Sequence, residues 1–77
     1  MIIKVLGSGC KKCGLLEDNT RKAVAALGIE ATIEKVTSMD DILAFGVMRT
    51  PALVVNDKVV LAGTIASPQK IQSLLQP

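Results

Sequence analysis

The chain has 77 residues, is 49% hydrophobic, and carries nine basic and seven acidic side chains for a net charge of +2. That length admits one domain, residues 1–77, near the lower limit at which a single core sustains itself, and excludes a dinucleotide-binding fold, a barrel or a deep pocket for a large substrate. The chain is too apolar to be disordered. With Phe45 its only aromatic residue and no concentrated basic stripe, it offers nucleic acid neither stacking platform nor electrostatic footprint.

The longest wholly apolar run, Ala23 to Leu27, is five residues. Spanning a bilayer needs roughly 20, so no membrane association is expected. The beginning of the chain, Met1-Ile2-Ile3-Lys4-Val5-Leu6-Gly7, has no basic leader and no apolar stretch of signal length, which points to the cytoplasm.

Ile2 to Leu6 reads as a short strand, ended by Gly7-Ser8-Gly9. From Lys11 to Leu27, the residues Leu16, Thr20, Ala23, Val24 and Leu27 recur at helical spacing. Glu17 and Arg21 form a favourable i,i+4 pair on that helix, and Gly28 stops it. Ile29 to Val36 alternates as a second strand. Ser38 is placed to cap a short helix from Met39 to Phe45, ended by Gly46. Ala52 to Val55 and Val59 to Ala62 are strands joined by an Asn56-Asp57 turn, hence antiparallel. Ser67-Pro68 opens a last helix to Leu75, with Ile71, Leu74 and Leu75 as its apolar face. The order βαβαββα predicts an α/β fold, a four-stranded mixed sheet with helices on both faces. Phe45 is expected in the core, and Met39 and Met48 as space-filling hydrophobes, with Met48 also a candidate for lining a substrate groove. Lys58 and Lys70 are expected in solvent.

The two cysteines, Cys10 and Cys13, form a single C-x-x-C. A bridge closing so short a loop removes little unfolded-state entropy, so stability is a poor reason for it. Redox chemistry, metal binding and plain packing remain. The motif enters a helix directly from a strand, where unpaired backbone N–H groups and the positive end of the helix dipole favour thiolate over thiol. Lys11 and Lys12 add positive charge. Cys10, the more exposed position, is the expected attacking thiolate. Cys13 lies one turn in, on the buried side, placed to resolve a mixed disulfide. Further along, Arg49-Thr50-Pro51-Ala52 sets a proline at the start of a strand, a position proline tolerates.

Taken together, Cys10-Lys11-Lys12-Cys13 after the first strand, Thr50-Pro51 before the third and Gly63 after the fourth make the chain resemble the thioredoxin superfamily over essentially its whole length. It is most similar to the small archaeal and bacterial thioredoxin/glutaredoxin-like proteins known as redox-active disulfide protein 2. The resemblance implies a minimal thioredoxin-like fold and a thiol-disulfide oxidoreductase of protein disulfides. Its partners would be a disulfide-containing protein and an upstream reductant, either a thioredoxin reductase-like protein or a low-molecular-weight thiol. No cofactor or metal is implied, and a monomer is expected. Pro51 would be a cis-proline facing the disulfide, and Thr50 would present backbone to an extended substrate segment. Gly63 would keep the site rim clear for the partner, and Gly9 would hold the place before the first cysteine. Lys11, Lys12 and Arg49 complete the expected binding surface, Arg49 as a charge able to meet an acidic partner.

Departures from the family pattern are equally specific. The motif is Gly-Cys-Lys-Lys-Cys rather than Trp-Cys-Gly-Pro-Cys. The buried acid that assists proton transfer in thioredoxins has no match, Lys4 and Glu34 being read as exposed-edge positions. The charged pair by which glutaredoxins hold glutathione is replaced by Thr64-Ile65-Ala66. The alternative function is a soft-metal or arsenite-binding module or metallochaperone using the same two thiolates. Ferredoxin-like metal carriers of that kind run βαββαβ and commonly place Met two residues before the first cysteine. This chain ends in a helix and has Ser8 there.

Overall fold

A computed structural model describes residues 1–7 and 11–75. Their order is β1 (Ile2–Leu6), α1 (Lys11–Leu27), β2 (Thr32–Val36), α2 (Met39–Ala44), β3 (Ala52–Val55), β4 (Lys58–Ala62) and α3 (Pro68–Leu75). The strands form one mixed sheet ordered β2-β1-β3-β4. β1 runs parallel to β2 and antiparallel to β3, and β3 is antiparallel to β4.

The period-two alternation of β1 and β3 divides the core between the two faces of the sheet. Ile3 and Val5 point to one face, opposite Val55 and Leu53, and pack with Leu16 and Ala23 of α1 and Ile71 and Leu75 of α3. Leu6, with Ala52 and Val54, points to the other, where Ile42 of α2 and Val47 cover it. The structure is therefore a minimal thioredoxin-like α/β fold with helices on both faces.

Packing holds α1 rather than charge. Its exposed i,i+4 pair, Lys22–Asp18, is worth about 0.3–0.5 kcal/mol, whereas one fully buried Leu contributes about 1.5–3 kcal/mol. Thr20, buried in the same stripe as Leu16 and Ala23, donates its hydroxyl to the Leu16 carbonyl at 2.7 Å, so no polar atom is left unsatisfied. Asn19 donates to the Ala66 carbonyl at 2.9 Å and ties α1 to the approach of α3. At the start of α3, Ser67 accepts from the Lys70 N–H, as a capping serine should.

Several boundaries and placements differ from expectation. Strand β2 begins at Thr32 rather than Ile29, although exposure alternates from Ile29 onward. Thr32 pairs with Ile2 and donates to the Met1 carbonyl, so the residues before it extend beyond the end of their partner strand. Ser38 makes no side-chain cap bond, and the charges of Asp40 and Asp41 meet the positive end of α2 instead. Phe45 is half-buried at the margin of the core, where the Lys4 ammonium lies 5.3 Å from its ring centroid. Lys4 is not on an edge: β1 is central, and the side chain is 25% exposed with its ammonium 3.8 Å from Asp57. Glu34, on edge strand β2, is exposed as expected, as are Lys58 and Lys70. Met39 and Met48 fill no space, being 57% and 88% exposed.

The hairpin turn needs positive φ at both central residues to match the strand twist, and Asn56 and Asp57 supply it with φ 49° and 66°. Beyond the turn, Val54 pairs with Val59 while Leu53 pairs with Leu61, leaving Val60 as a bulge residue. Successive Val60 and Leu61 can then both pack on the α1–α3 side. Among the described residues, no helix is long and apolar enough to cross a membrane.

This division of the core predicts that Leu53→Ala, at a fully buried site, costs about 2–5 kcal/mol. Leu15→Ala, on the open face of α1, should stay within about 0.5 kcal/mol. Urea unfolding of the two variants measures the contrast.

Candidate functional site

Where β1 ends, the Gly7 N–H donates to the Val36 carbonyl at 2.9 Å, prolonging the parallel pairing by one bond. Helix α1 begins at Lys11. Lys11 and Lys12 are exposed on the first turn of α1, and with no acidic residue in that turn they leave its positive end uncompensated. Cys13 turns inward, 7% exposed, and is disulfide-bonded. Gly9 and Cys10 lie outside the described residues.

From the other side of β1 comes Thr50-Pro51, whose peptide bond is cis. Pro51 is fully buried and Thr50 exposed. The two segments meet at Gly7. A Cβ built there would collide with Cys13 Sγ, lie 2.9 Å from Cys13 Cβ and stand 4.0 Å from Thr50 Cβ. Gly63 joins the same rim by donating its N–H to the Pro51 carbonyl at 2.9 Å. Two local conditions suit glycine there. Its φ is +74°, and a Cβ would press on the stem of Arg49, 3.0 Å from Cβ and 3.2 Å from Cδ. Arg49 thus lies across Gly63 with Met48 projecting beside it, both exposed. The structure therefore places Cys13, Thr50, Pro51, Gly63 and Arg49 along one rim, with Lys11 and Lys12 on the helix turn that carries Cys13.

Gly7 and Cys13 also line a cavity of about 170 Å³ with Gly14, Glu17, Lys35 and Thr37. Sequence reasoning assigned Glu17 only to Arg21. The carboxylate does accept from Arg21 at 3.1 Å, but its other oxygen meets the Lys35 ammonium of β2 at 2.9 Å, and the side chain is only 13% exposed. The Lys35 hydrogen bond holds the Glu17 pKa below the ordinary carboxylate value. Burial opposes this, and Arg21 adds to the lowering. The available signal was the i,i+4 spacing of Cys13 and Glu17, which puts both on one side of α1. Lys35 could not be paired with Glu17 without the register of β2.

Comparison with known proteins bears on the family of the chain. The sequence profile of the thioredoxin domain matches residues 1–76. A thioredoxin of Methanothermobacter thermautotrophicus is 41% identical over 75 residues, covering 97% of each chain. A thioredoxin of Methanocaldococcus jannaschii is 38% identical over 76 residues, covering 99% of this chain and 87% of that protein.

The Glu17 pKa makes a prediction about acid. A carboxylate whose folded pKa is depressed adds stability that is full above its ordinary unfolded pKa of 4.5 and is lost as pH falls through the folded value. Wild-type stability should therefore decline with acidification below that pH. Glu17→Gln should show a shallower decline when urea midpoints are compared across the acid range.

Proposed function

Because the chain belongs to the thioredoxin family, we propose that it is a thiol-disulfide oxidoreductase of protein disulfides that works through Cys10 and Cys13. The observation that carries this reading is the meeting of Cys13, inside the first turn of α1, with the cis Thr50-Pro51 segment around Gly7. A dithiol at this point borders an exposed rim on one side and, on the other, a small cavity that Glu17 and Lys35 help to line.

In this mechanism the Cys10 thiolate, favoured by the helix end and by Lys11 and Lys12, attacks one sulfur of the substrate disulfide. A mixed disulfide forms and one substrate thiolate leaves. Cys13 then loses its proton and attacks the Cys10 sulfur, which releases the second substrate thiolate and leaves the Cys10–Cys13 disulfide. The substrate has gained two electrons. A reductant returns the protein to the dithiol by supplying two electrons in turn. The Glu17 carboxylate lines the same cavity as Cys13, with its charge held by Lys35. Thr50 and Pro51 present backbone to the partner as an added extended segment. Gly9, Gly63 and the charges of Lys11, Lys12 and Arg49 form the surrounding contact surface. Arg49, whose stem rests on Gly63, favours an acidic substrate segment.

Reduction of a disulfide-containing protein such as insulin, driven by dithiothreitol or a thioredoxin reductase, tests the reading. Cys10→Ser should abolish turnover, and Cys13→Ser should accumulate a mixed disulfide visible on non-reducing gels. A wild-type protein that accelerates reduction with neither donor would sink the proposal. If it instead bound one equivalent of Cu(I) or arsenite tightly, the soft-metal reading would replace it.

A further inference from the structure

Gly7 has a glycine for a reason of space, not of backbone conformation. The positive-φ glycines among the described residues are Gly28, Gly46 and Gly63, and Gly7 is not one of them, so a side chain would meet no backbone strain there. What it would meet is Cys13. The ideal Cβ direction runs into Sγ and to 2.9 Å of Cys13 Cβ. Gly7 is also fixed in place, since its N–H is held by the Val36 carbonyl and β1 is anchored on both sides. It cannot yield, so the sulfur would have to.

We infer that Gly7 is a positioning residue for Cys13, its bare Cα forming the seat against which the disulfide-bonded sulfur rests. This deepens the oxidoreductase reading and rests on it. The cost of filling the seat is unequal between redox states. In the disulfide, Sγ is held by its bond and cannot leave its rotamer. As a thiol, the side chain can turn about χ1 to another staggered position. A methyl group at position 7 therefore raises the free energy of the oxidised protein more than that of the reduced one, and makes the couple more oxidising. Gly14, beside Cys13 in sequence and in the same cavity wall, has open space where its Cβ would be and supplies the control.

The test equilibrates full-length wild type, Gly7→Ala and Gly14→Ala with mixtures of reduced and oxidised glutathione, and counts free thiols by alkylation. In this exchange two glutathione thiols give two electrons and two protons to the protein disulfide, leaving glutathione disulfide and two cysteine thiols. Gly7→Ala should move the equilibrium toward the dithiol by about tenfold or more, which corresponds to about 30 mV for two electrons. Gly14→Ala should stay within about twofold. A folded Gly7→Ala protein with the wild-type equilibrium overturns the inference. A wild type that exchanges with glutathione at no ratio, and with dithiothreitol at none, overturns the oxidoreductase reading and this inference with it. Should Gly7→Ala not fold, the same change in a Cys13→Gly background removes both offending atoms. Recovery of folding there supports the seat, and failure to recover overturns it.

Discussion

Strand β1 is paired on both sides, parallel to β2 and antiparallel to β3, and the placement of the site depends on that double pairing. Its faces are both covered, by α1 and α3 with Ile3 and Val5 and by α2 with Leu6, so the strand has neither a free edge nor a free face on which to shift. The residue that follows, Gly7, inherits this rigidity. The chain enters α1 within four residues of it, which fixes Cys13 over the end of the sheet. Pro51 precedes β3, the antiparallel neighbour of β1, and so arrives at the same end from the opposite direction. Adjacent strands lie about 4.8 Å apart, so the helix turn and the proline segment can meet across a single glycine.

The polar chemistry on either side of β1 follows from the same alternation. Lys4 lies between inward-facing Ile3 and Val5 and is turned to the α2 side, where Phe45 and Asp57 receive its ammonium. On the α1 side, Lys35 of β2 reaches Glu17, and that pair forms a wall of the cavity beside Cys13. Glu17 is thus a cross-link between helix and edge strand and at the same time the acidic group closest in sequence to the buried cysteine. It ties α1 to β2, pairs with Arg21 and lines the cavity.

The rim has a different character. Met48 and Arg49 project outward, Thr50 is exposed, and Lys11 and Lys12 stand on the adjoining helix turn. In the function proposed above, the exposed cations Lys11, Lys12 and Arg49, together with Met48, suit an extended, acidic partner segment.

Much of the fold was legible from composition and periodicity alone. β1, α1, β3 and α3 have the bounds that local patterns indicated, because each carries a periodic apolar stripe bounded by a glycine, a proline or a turn. The thioredoxin resemblance was legible for the same reason, its motif residues falling at element junctions. Features that depend on a neighbour were not. The start of β2 is set by where β1 begins, and the Val60 bulge by the need to turn two successive apolar residues to one face. The burial of Lys4 is set by its strand being central rather than at an edge.

The 77 residues and two cysteines, taken alone, determined one small α/β sheet with a C-x-x-C at a helix mouth and a proline segment elsewhere in the chain. Only the tertiary structure decided what Cys13 lies beside. It put Cys13 against the bare backbone of Gly7 and Glu17 against Lys35, contacts between residues 6 and 18 positions apart. A sequence pattern reports which side chains share a face of one element. It carries no information on which faces of two elements meet, since that is settled by strand order and register, and here both were fixed by the double pairing of β1.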